Sequence, residues 1–323
     1  MTFKARGLYA SSSKVPRRPH KGLWLLLGAA LALALAATVL PVLGKAATNH
    51  EQSSQSLQNQ EQIEVDNRTS GSVEITTADV DQVHIERTLR TSPLRDVEES
   101  LDETGDGVQL QAHCPGPDLF ATTCAADYEI TLPAQSHVQV HTTSGPILTS
   151  GIQGPMQAHS TSGRIRIQDH QGPVQAESTS ALLHLDNIQG SVRAQTTSGD
   201  IDLTGQGEQA RASTTSGQVD LSGFTAQTVQ TDSTSGDVSI GDFTDAEASS
   251  VSGSIRIHNN QQLHTLTVHT TSGSVTARLP DQDYDLNGSS TSGDRQIDVD
   301  TSPQANAQIT IDTVSGPVHL THP

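Results

Sequence analysis

The sequence predicts an all-β fold, a parallel β-solenoid or β-helix with about 18 residues and two strands per coil, preceded by one N-terminal transmembrane helix. A Ser-Gly corner motif recurs at steps near 18 residues, which is the signature of a solenoid. Apolar residues alternate with polar ones between the motifs, and this pattern indicates strands with one buried face. Aromatic residues form only 2% of the 323 residues, too few for the usual aromatic-rich core.

The charge is distributed unevenly along the chain. Eighteen Lys and Arg residues stand against 36 Asp and Glu residues, giving a net charge of −18. Residues 1–44 contain six of the basic residues and no acidic residue, so the acidic excess lies entirely in the remainder. Because contacts to phosphate need clustered Lys and Arg, we expect no nucleic-acid partner.

The first predicted element is a membrane helix over Leu23–Leu43, a run of 21 uncharged residues. Such a run is long enough to cross a hydrocarbon core of roughly 30 Å. Basic residues precede it, so residues 1–22 are predicted to be a cytoplasmic tail and the C-terminal part to be periplasmic or extracellular. A cleaved signal peptide, with Gly44 and Ala46 near the cut, is the alternative, although its apolar region is usually shorter.

Two sections separate this segment from the regular repeats. Residues 44–60 are polar and aperiodic, and we expect a flexible linker there. Residues 61–137 alternate less regularly, which predicts irregular β-coils that cap one end of the rod. The two cysteines, Cys114 and Cys124, fall in this section, and an exported pair is expected to form a disulfide. A redox or metal-binding pair is the alternative, but the C-x-x-C spacing is absent.

The regular β-solenoid is predicted over residues 138–323. Ser or Thr stands two residues before the corner serine in all ten repeats, and its inward hydroxyl must bond another hydroxyl or the corner backbone. Gly follows the corner serine, where we expect it to permit a positive φ. One apolar column is predicted to stack coil upon coil, and its members are Ile165, Leu183, Ile201 and Val219.

The repeats resemble a known bacterial family, the "putative adhesin" β-strand-repeat proteins, a TSG-repeat β-solenoid domain of unknown function. The resemblance rests on serial TSG-x-(I/V)-x-(I/L) units, on the opening EVDNRTSGSVEI, and on YEITLP at Tyr128–Pro133. It covers roughly residues 61–320 and implies display on the cell envelope. Two positions depart from the pattern. Ala181 replaces a corner Gly, and Arg295 occupies a slot usually held by an inward aliphatic residue, which predicts distorted C-terminal coils.

Two groups of acidic residues are candidate cation sites. Outward carboxylates on neighbouring coils are expected to form an acidic stripe that a divalent cation would stabilise, with a solvated acidic face as the alternative. The stripe consists of Asp200, Asp202, Asp220 and Asp237. A second run begins like an EF-hand calcium loop but lacks the required Gly and the final Glu. This run consists of Asp281, Asp283, Asp285 and Asn287. Calcium is the one cofactor that these acidic residues suggest.

The sequence indicates a protein without catalysis. Arg164, Arg166 and His184 share an outer face of the kind that polysaccharide-active β-helix enzymes use, but no aromatic platform accompanies them. No metalloprotease or G-x-S-x-G motif is present. We therefore expect a membrane-anchored envelope protein that displays an acidic β-solenoid as a structural or adhesin-like binding module, with an envelope protein or polysaccharide as ligand. The alternatives are an envelope sensor that signals through its short cytoplasmic tail and a polysaccharide-active enzyme.

Overall fold

Successive coils pair in parallel at the predicted spacing. In the computed structural model, which describes residues 28–35, 49–58, 61–92, 95–105, 107–116 and 123–322, Ile165 lies beside Leu183, Leu183 beside Ile201, and Ile201 beside Val219. The predicted column and the parallel β-solenoid are therefore confirmed.

Twenty-five strands form a single sheet that winds around the rod. In chain order they are β1 (Asn49–Gln58), β2 (Gln62–Asn67), β3 (Val73–Thr77), β4 (Gln82–Thr91), β5 (Glu98–Thr104), β6 (Gly107–His113), β7 (Cys124–Leu132), β8 (His137–Thr142), β9 (Ile147–Ser150), β10 (Met156–Ser160), β11 (Ile165–Gln168), β12 (Val174–Ser178), β13 (Leu183–Gln189), β14 (Val192–Thr196), β15 (Ile201–Thr214), β16 (Val219–Ser233), β17 (Val238–Ile240), β18 (Phe243–Ser250), β19 (Ile255–His258), β20 (Thr265–Thr270), β21 (Val275–Arg278), β22 (Tyr284–Asn287), β23 (Arg295–Asp298), β24 (Ala307–Thr313) and β25 (Val318–Thr321).

Each coil contributes one strand to each of two walls. Strands such as β8, β10 and β12 form the first wall, and strands such as β9, β11 and β13 form the second. β15 and β16 are long enough to run through both walls. The chain turns from the first wall to the second at the Ser-Gly motif, the first corner, and returns at a more variable second corner.

The core lies between the two walls. Ile and Leu predominate on the second wall, Val and Ala predominate on the first, and all belong to one buried cluster. Each fully buried aliphatic side chain contributes roughly 1.5–3 kcal/mol. The few aromatic residues have particular places. Tyr128 and Tyr284 are fully buried in β7 and β22 near the two rod ends, and Phe224 and Phe243 are buried at the second corner.

Inward hydroxyls complete the first corner, as expected. The amide N–H of Gly199 donates to Thr196 Oγ1 at 3.0 Å, and the N–H of Gly217 donates to Thr214 Oγ1 at 3.0 Å. The same bond recurs in most coils along the rod and satisfies a backbone donor at the corner.

The expected positive φ at the corner glycines is wrong. The positive-φ glycines among the described residues all lie elsewhere in the chain. The reason for glycine is close approach, because a Cβ on Gly217 would overlap the carbonyl oxygen of Gly199 in the neighbouring coil.

The coils at both ends are stacked out of chain order. At the N-terminal end, β2 lies between β6 and β8, and β3 lies between β7 and β9. At the C-terminal end, β24 lies between β20 and β22, and β25 lies between β21 and β23. The first and last coils of the chain are therefore each enclosed by a neighbour on either side.

Arg295 belongs to the outermost C-terminal coil. Its side chain is half-buried, and Nη1 donates to the Gly288 carbonyl at 2.8 Å. A cation replaces the usual aliphatic residue here because this coil has a neighbour on only one side.

The N-terminal end of the rod is covered by antiparallel strands. β4 pairs with β7, β1 pairs with β4, and β5 pairs with β6. The flexible linker expected over residues 44–60 is therefore wrong for 49–58, which is β1. This strand is almost entirely polar and exposed, with Leu57 as its buried residue. Ten consecutive backbone pairs with β4 hold it, so its pairing does not depend on apolar side chains.

Most of the predicted membrane helix lies outside the described residues, and the predicted tail at 1–22 lies entirely outside them. Residues 28–35 are helical. Within the part of the chain that is described, no helix has both the length and the apolar character required to span a membrane. The predicted disulfide between Cys114 and Cys124 is present and joins the end of β6 to the start of β7.

Candidate functional site

A groove follows the second corner of the rod across its C-terminal coils. It consists of two adjoining cavities of about 530 and 650 Å³, which share Thr244 and Gln261 in their linings. We call it the amide groove because amide side chains dominate its lining. These residues are Gln189, Gln206, Gln227, Gln261, Gln262, Gln282, Gln304 and Asn306.

A buried asparagine builds the loop at the centre of the groove. Asn259 is completely buried, and its Nδ2 donates to the Phe243 carbonyl at 3.1 Å. Its Oδ1 accepts from the amide N–H groups of Phe243 and Gln261, each at 3.1 Å. From the neighbouring coil, Gln282 Nε2 donates to the Leu263 carbonyl at 2.9 Å. The loop is therefore fixed from two directions.

An apolar layer lies beneath the polar lining. Phe224, Phe243 and Leu263 are each at most 2% exposed, and Ala226 is nearly as buried. These side chains fill the second corner, so the amides stand on packed side chains rather than on a mobile loop.

The lining is suited to hydrogen bonding and poorly suited to binding an anion. A side-chain amide both donates and accepts hydrogen bonds, and Glu208 and Asp283 add negative charge at the groove. His264 also lines it, with Nδ1 3.5 Å from Asp245 Oδ1. A neutral ligand rich in hydroxyl groups therefore fits this surface better than a phosphorylated or acidic one.

The sequence contains a signal for this groove in its Gln-Gly pairs. Gln-Gly pairs recur at the second corner at Gln153, Gln171, Gln189 and Gln206. These pairs place one amide per coil along the same edge of the rod. The loops of β18–β22 vary in length, and this variation hides the same register farther along the chain.

Two carboxylates of the predicted acidic stripe bond to the neighbouring coil. Asp200 Oδ1 accepts from the Gln218 N–H at 2.8 Å. Asp237 accepts from the Ser254 N–H at 2.9 Å and from Arg256 Nη1 at 2.8 Å. The hydrogen bond from Arg256 and that from Ser254 lower the pKa of Asp237 below its ordinary value. Both carboxylates thus connect adjacent coils.

The other two carboxylates of the stripe are direct neighbours. Asp202 and Asp220 are paired in register on β15 and β16. Asp202 Oδ2 lies 2.9 Å from His184 Nδ1, and Asp220 Oδ1 accepts from the Ser222 N–H at 2.9 Å. The described chain contains one cluster of three or more side chains that could bind a metal ion. None of the four stripe residues belongs to it.

The EF-hand-like run begins before strand β22 and continues into it. Asp285 and Asn287 lie on strand β22, where alternate residues are about 6.6 Å apart along the strand. The side chains of these two residues meet, since Asn287 Nδ2 donates to Asp285 Oδ1 at 3.3 Å. Asp281 points elsewhere in the fold and approaches Asp300 and His322, with one ligand atom of each within 4.8 Å of the others. The described chain contains this one such cluster.

The fold places the chain in the class of β-solenoid repeat proteins. The family described as Toastrack DUF4097 matches residues 108–213 and again residues 204–321. Together the two matches span about two thirds of the chain. The chain belongs to this family, in agreement with the resemblance noted in its repeats.

Several solved structures are similar to this chain at low identity. A "putative adhesin" from Bacteroides fragilis is 14% identical, with a TM-score of 0.45, and the match covers 72% of this chain and 97% of that one. A "putative lipid binding protein" from Parabacteroides distasonis is 13% identical, with a TM-score of 0.40 and coverage of 72% and 96%. A "putative adhesin" from Parabacteroides merdae is 12% identical, with a TM-score of 0.34 and coverage of 82% and 96%. No curated protein matches the chain.

Proposed function

We propose that the protein is a non-catalytic binding module of the cell envelope and that its amide groove binds a neutral polysaccharide. The observation that carries this proposal is the continuity of the groove, whose two cavities meet at Thr244 and Gln261. A continuous groove favours an extended polymer over a small compact ligand.

The length and chemistry of the groove agree with such a ligand. It follows the edges of about seven coils, and at about 4.8 Å per coil its length is roughly 30 Å. Amides at nearly every coil offer paired donors and acceptors to the hydroxyl groups of successive sugars. The acidic surface disfavours anionic polymers, because like charges repel.

Envelope display is the second part of the proposal. The apolar segment Leu23–Leu43 and the basic residues before it favour an anchored chain with its C-terminal part outside the cytoplasm. The Cys114–Cys124 disulfide fits an oxidising compartment. Strand β1, which follows the apolar segment, covers one end of the rod, and the amide groove extends toward the opposite end. This arrangement favours a groove held away from the membrane.

Binding to a polysaccharide panel tests the proposal. The full chain in detergent micelles would be titrated with soluble neutral glucans, mannans and galactans and with anionic alginate. We expect a neutral polymer to bind and alginate not to bind. The double variant Gln261→Ala/Gln304→Ala should weaken binding roughly tenfold, since each lost hydrogen bond contributes about 0.5–1.5 kcal/mol.

A matched variant separates the groove from the rest of the surface. Gln157 and Gln195 are exposed on the first wall, outside the groove, so Gln157→Ala/Gln195→Ala should bind like the wild type. Equal losses in the two double variants, or binding to none of the neutral polymers, would contradict the proposal.

A further inference from the structure

Three segments that are distant in sequence meet at the C-terminal end of the rod. Asp281 precedes β22, Asp300 follows β23, and His322 follows β25. We propose that these three side chains bind one divalent transition-metal ion. This site is separate from the amide groove and does not depend on the proposed function.

The backbone holds the three residues together. The Leu279 N–H donates to the Thr321 carbonyl at 2.9 Å, and the Tyr284 N–H donates to the Asp300 carbonyl at 3.0 Å. Asp281 lies between Leu279 and Tyr284 in the chain. It is therefore held beside both His322, which follows Thr321, and Asp300.

The three side chains face a gap that none of them closes. One ligand atom from each lies within 4.8 Å of the other two. His322 Nδ1 is buried and lacks a hydrogen-bond partner within the described structure. An open cavity of about 700 Å³, lined also by Asp298, gives solvent ions access.

The donor set selects the class of metal. Two neighbouring carboxylates repel each other, and a divalent cation between them removes this repulsion. Calcium prefers six to eight oxygen ligands, whereas an imidazole nitrogen suits zinc and the neighbouring transition metals. Three protein ligands leave at least one coordination position for water. The geometry therefore favours zinc over the calcium considered from the sequence.

Such an ion would connect the last coil of the chain to the outermost C-terminal coil. His322 ends the enclosed coil β24–β25, whereas Asp281 and Asp300 flank the outer coil β22–β23. Among the described strands, β22 pairs with β24 and β23 pairs with β25, and the other side of β22 has only the isolated bridge between Tyr284 and Thr301. Because the ion would bind only when the two coils are in contact, its binding would stabilise the outer coil against opening.

Zinc titration of the full chain tests the site. Protein in detergent micelles, stripped with EDTA, would be titrated calorimetrically with zinc chloride. We expect one saturable site, and we expect His322→Gln and Asp300→Asn each to lower its affinity at least tenfold. Cobalt(II) in place of zinc should give a visible absorption band that His322→Gln abolishes. Zinc should also slow amide hydrogen exchange in β22 and β23 of the wild type and leave it unchanged in His322→Gln.

Two controls exclude general binding by histidines and carboxylates. His319 lies close by but pairs with Asp298, at 3.7 Å, and Asp283 lies outside the cluster. His319→Gln and Asp283→Asn should therefore retain the saturable site. The melting temperatures of all variants in EDTA establish that they fold. If His322→Gln does not fold, Asp300→Asn replaces it as the test variant. The absence of a saturable site in the wild type, or unchanged affinity in folded His322→Gln or Asp300→Asn, would overturn the proposal.

Discussion

A single buried histidine introduces pH sensitivity into the core of the rod. His170 is completely buried at the second corner, between Ile152 and Ile188 of the adjoining coils. The backbone fixes this order, because the Gln171 N–H donates to the Ile152 carbonyl and the Gln189 N–H donates to the His170 carbonyl, each at 2.8 Å. Burial lowers the pKa of His170 to about 4, and the backbone at Pro173 opposes this only in part.

This pKa predicts a loss of stability in mild acid. The folded-state pKa lies below the ordinary value of 6.5, so the unfolded chain takes up the proton first as the pH falls. The free energy of unfolding should therefore decrease between pH 6.5 and about 4, by on the order of 3 kcal/mol from this residue. His170→Ile matches the residues above and below it and should remove this contribution. Urea unfolding at pH 7.5, 5.5 and 4.5 measures it.

The test of this prediction is the difference between the free energies of unfolding of the wild type and His170→Ile at each pH. Carboxylates contribute equally to the wild type and the variant, so the difference in free energy of unfolding should be constant above pH 7 and should increase as the pH falls below 6.5. His258→Gln, at an exposed position, should follow the wild-type profile. Parallel profiles for wild type and His170→Ile would contradict the interpretation.

At the scale of elements, the repeated corner determines how closely coils can stack. The inward hydroxyl and the glycine act together. The hydroxyl of Thr214 accepts the Gly217 N–H, and the missing side chain of Gly217 lets the Gly199 carbonyl approach. Both requirements recur in most coils, which explains why the motif is so regular. Ala181 is the exception, and nothing in the structure explains how its methyl group is accommodated.

A methyl group at a corner glycine should therefore be costly. We expect Gly217→Ala to destabilise the rod by about 1–3 kcal/mol, because the added Cβ forces the backbones of two coils apart. Ala181→Gly is the matched control and should change stability by less than about 1 kcal/mol. Chemical unfolding of both variants at pH 7.5 makes the comparison. Equal effects would show that glycine serves another purpose at the corner.

The sequence predicts elements well where side chains carry the pattern. Alternation around Leu183 and Ile201 identifies both walls, because only a buried face requires it. Strand β1 leaves no such signal, since backbone pairing with β4 holds a polar segment. Sequence patterns also do not identify the amide groove or the Asp281–Asp300–His322 cluster, because their members come from different loops. Their proximity depends on the order in which coils stack.

At the scale of the whole molecule, the order of stacking protects the ends of the rod. Every repeat carries nearly the same motif, so the motif alone does not reveal which coil pairs with which. In the structure, the last strands β24 and β25 have strand partners on both sides, whereas β22 and β23 each have a strand partner on one side and β22 adds only the isolated Tyr284–Thr301 bridge. The free edge thus lies in the middle of a chain segment rather than at its terminus.

This topology predicts an unusual order of amide protection. In a solenoid stacked in chain order, the last coil frays first, because it has a neighbour on one side only. Here we expect amides of β24 and β25 to exchange at least tenfold more slowly than those of β22 and β23, although they lie nearer the C-terminus. Hydrogen exchange of the full chain, followed by mass spectrometry of its peptides, measures both coils together, with β12 as an interior reference. The opposite order, with residues 307–321 exchanging faster than 284–298, would show that the last coil is not enclosed in solution.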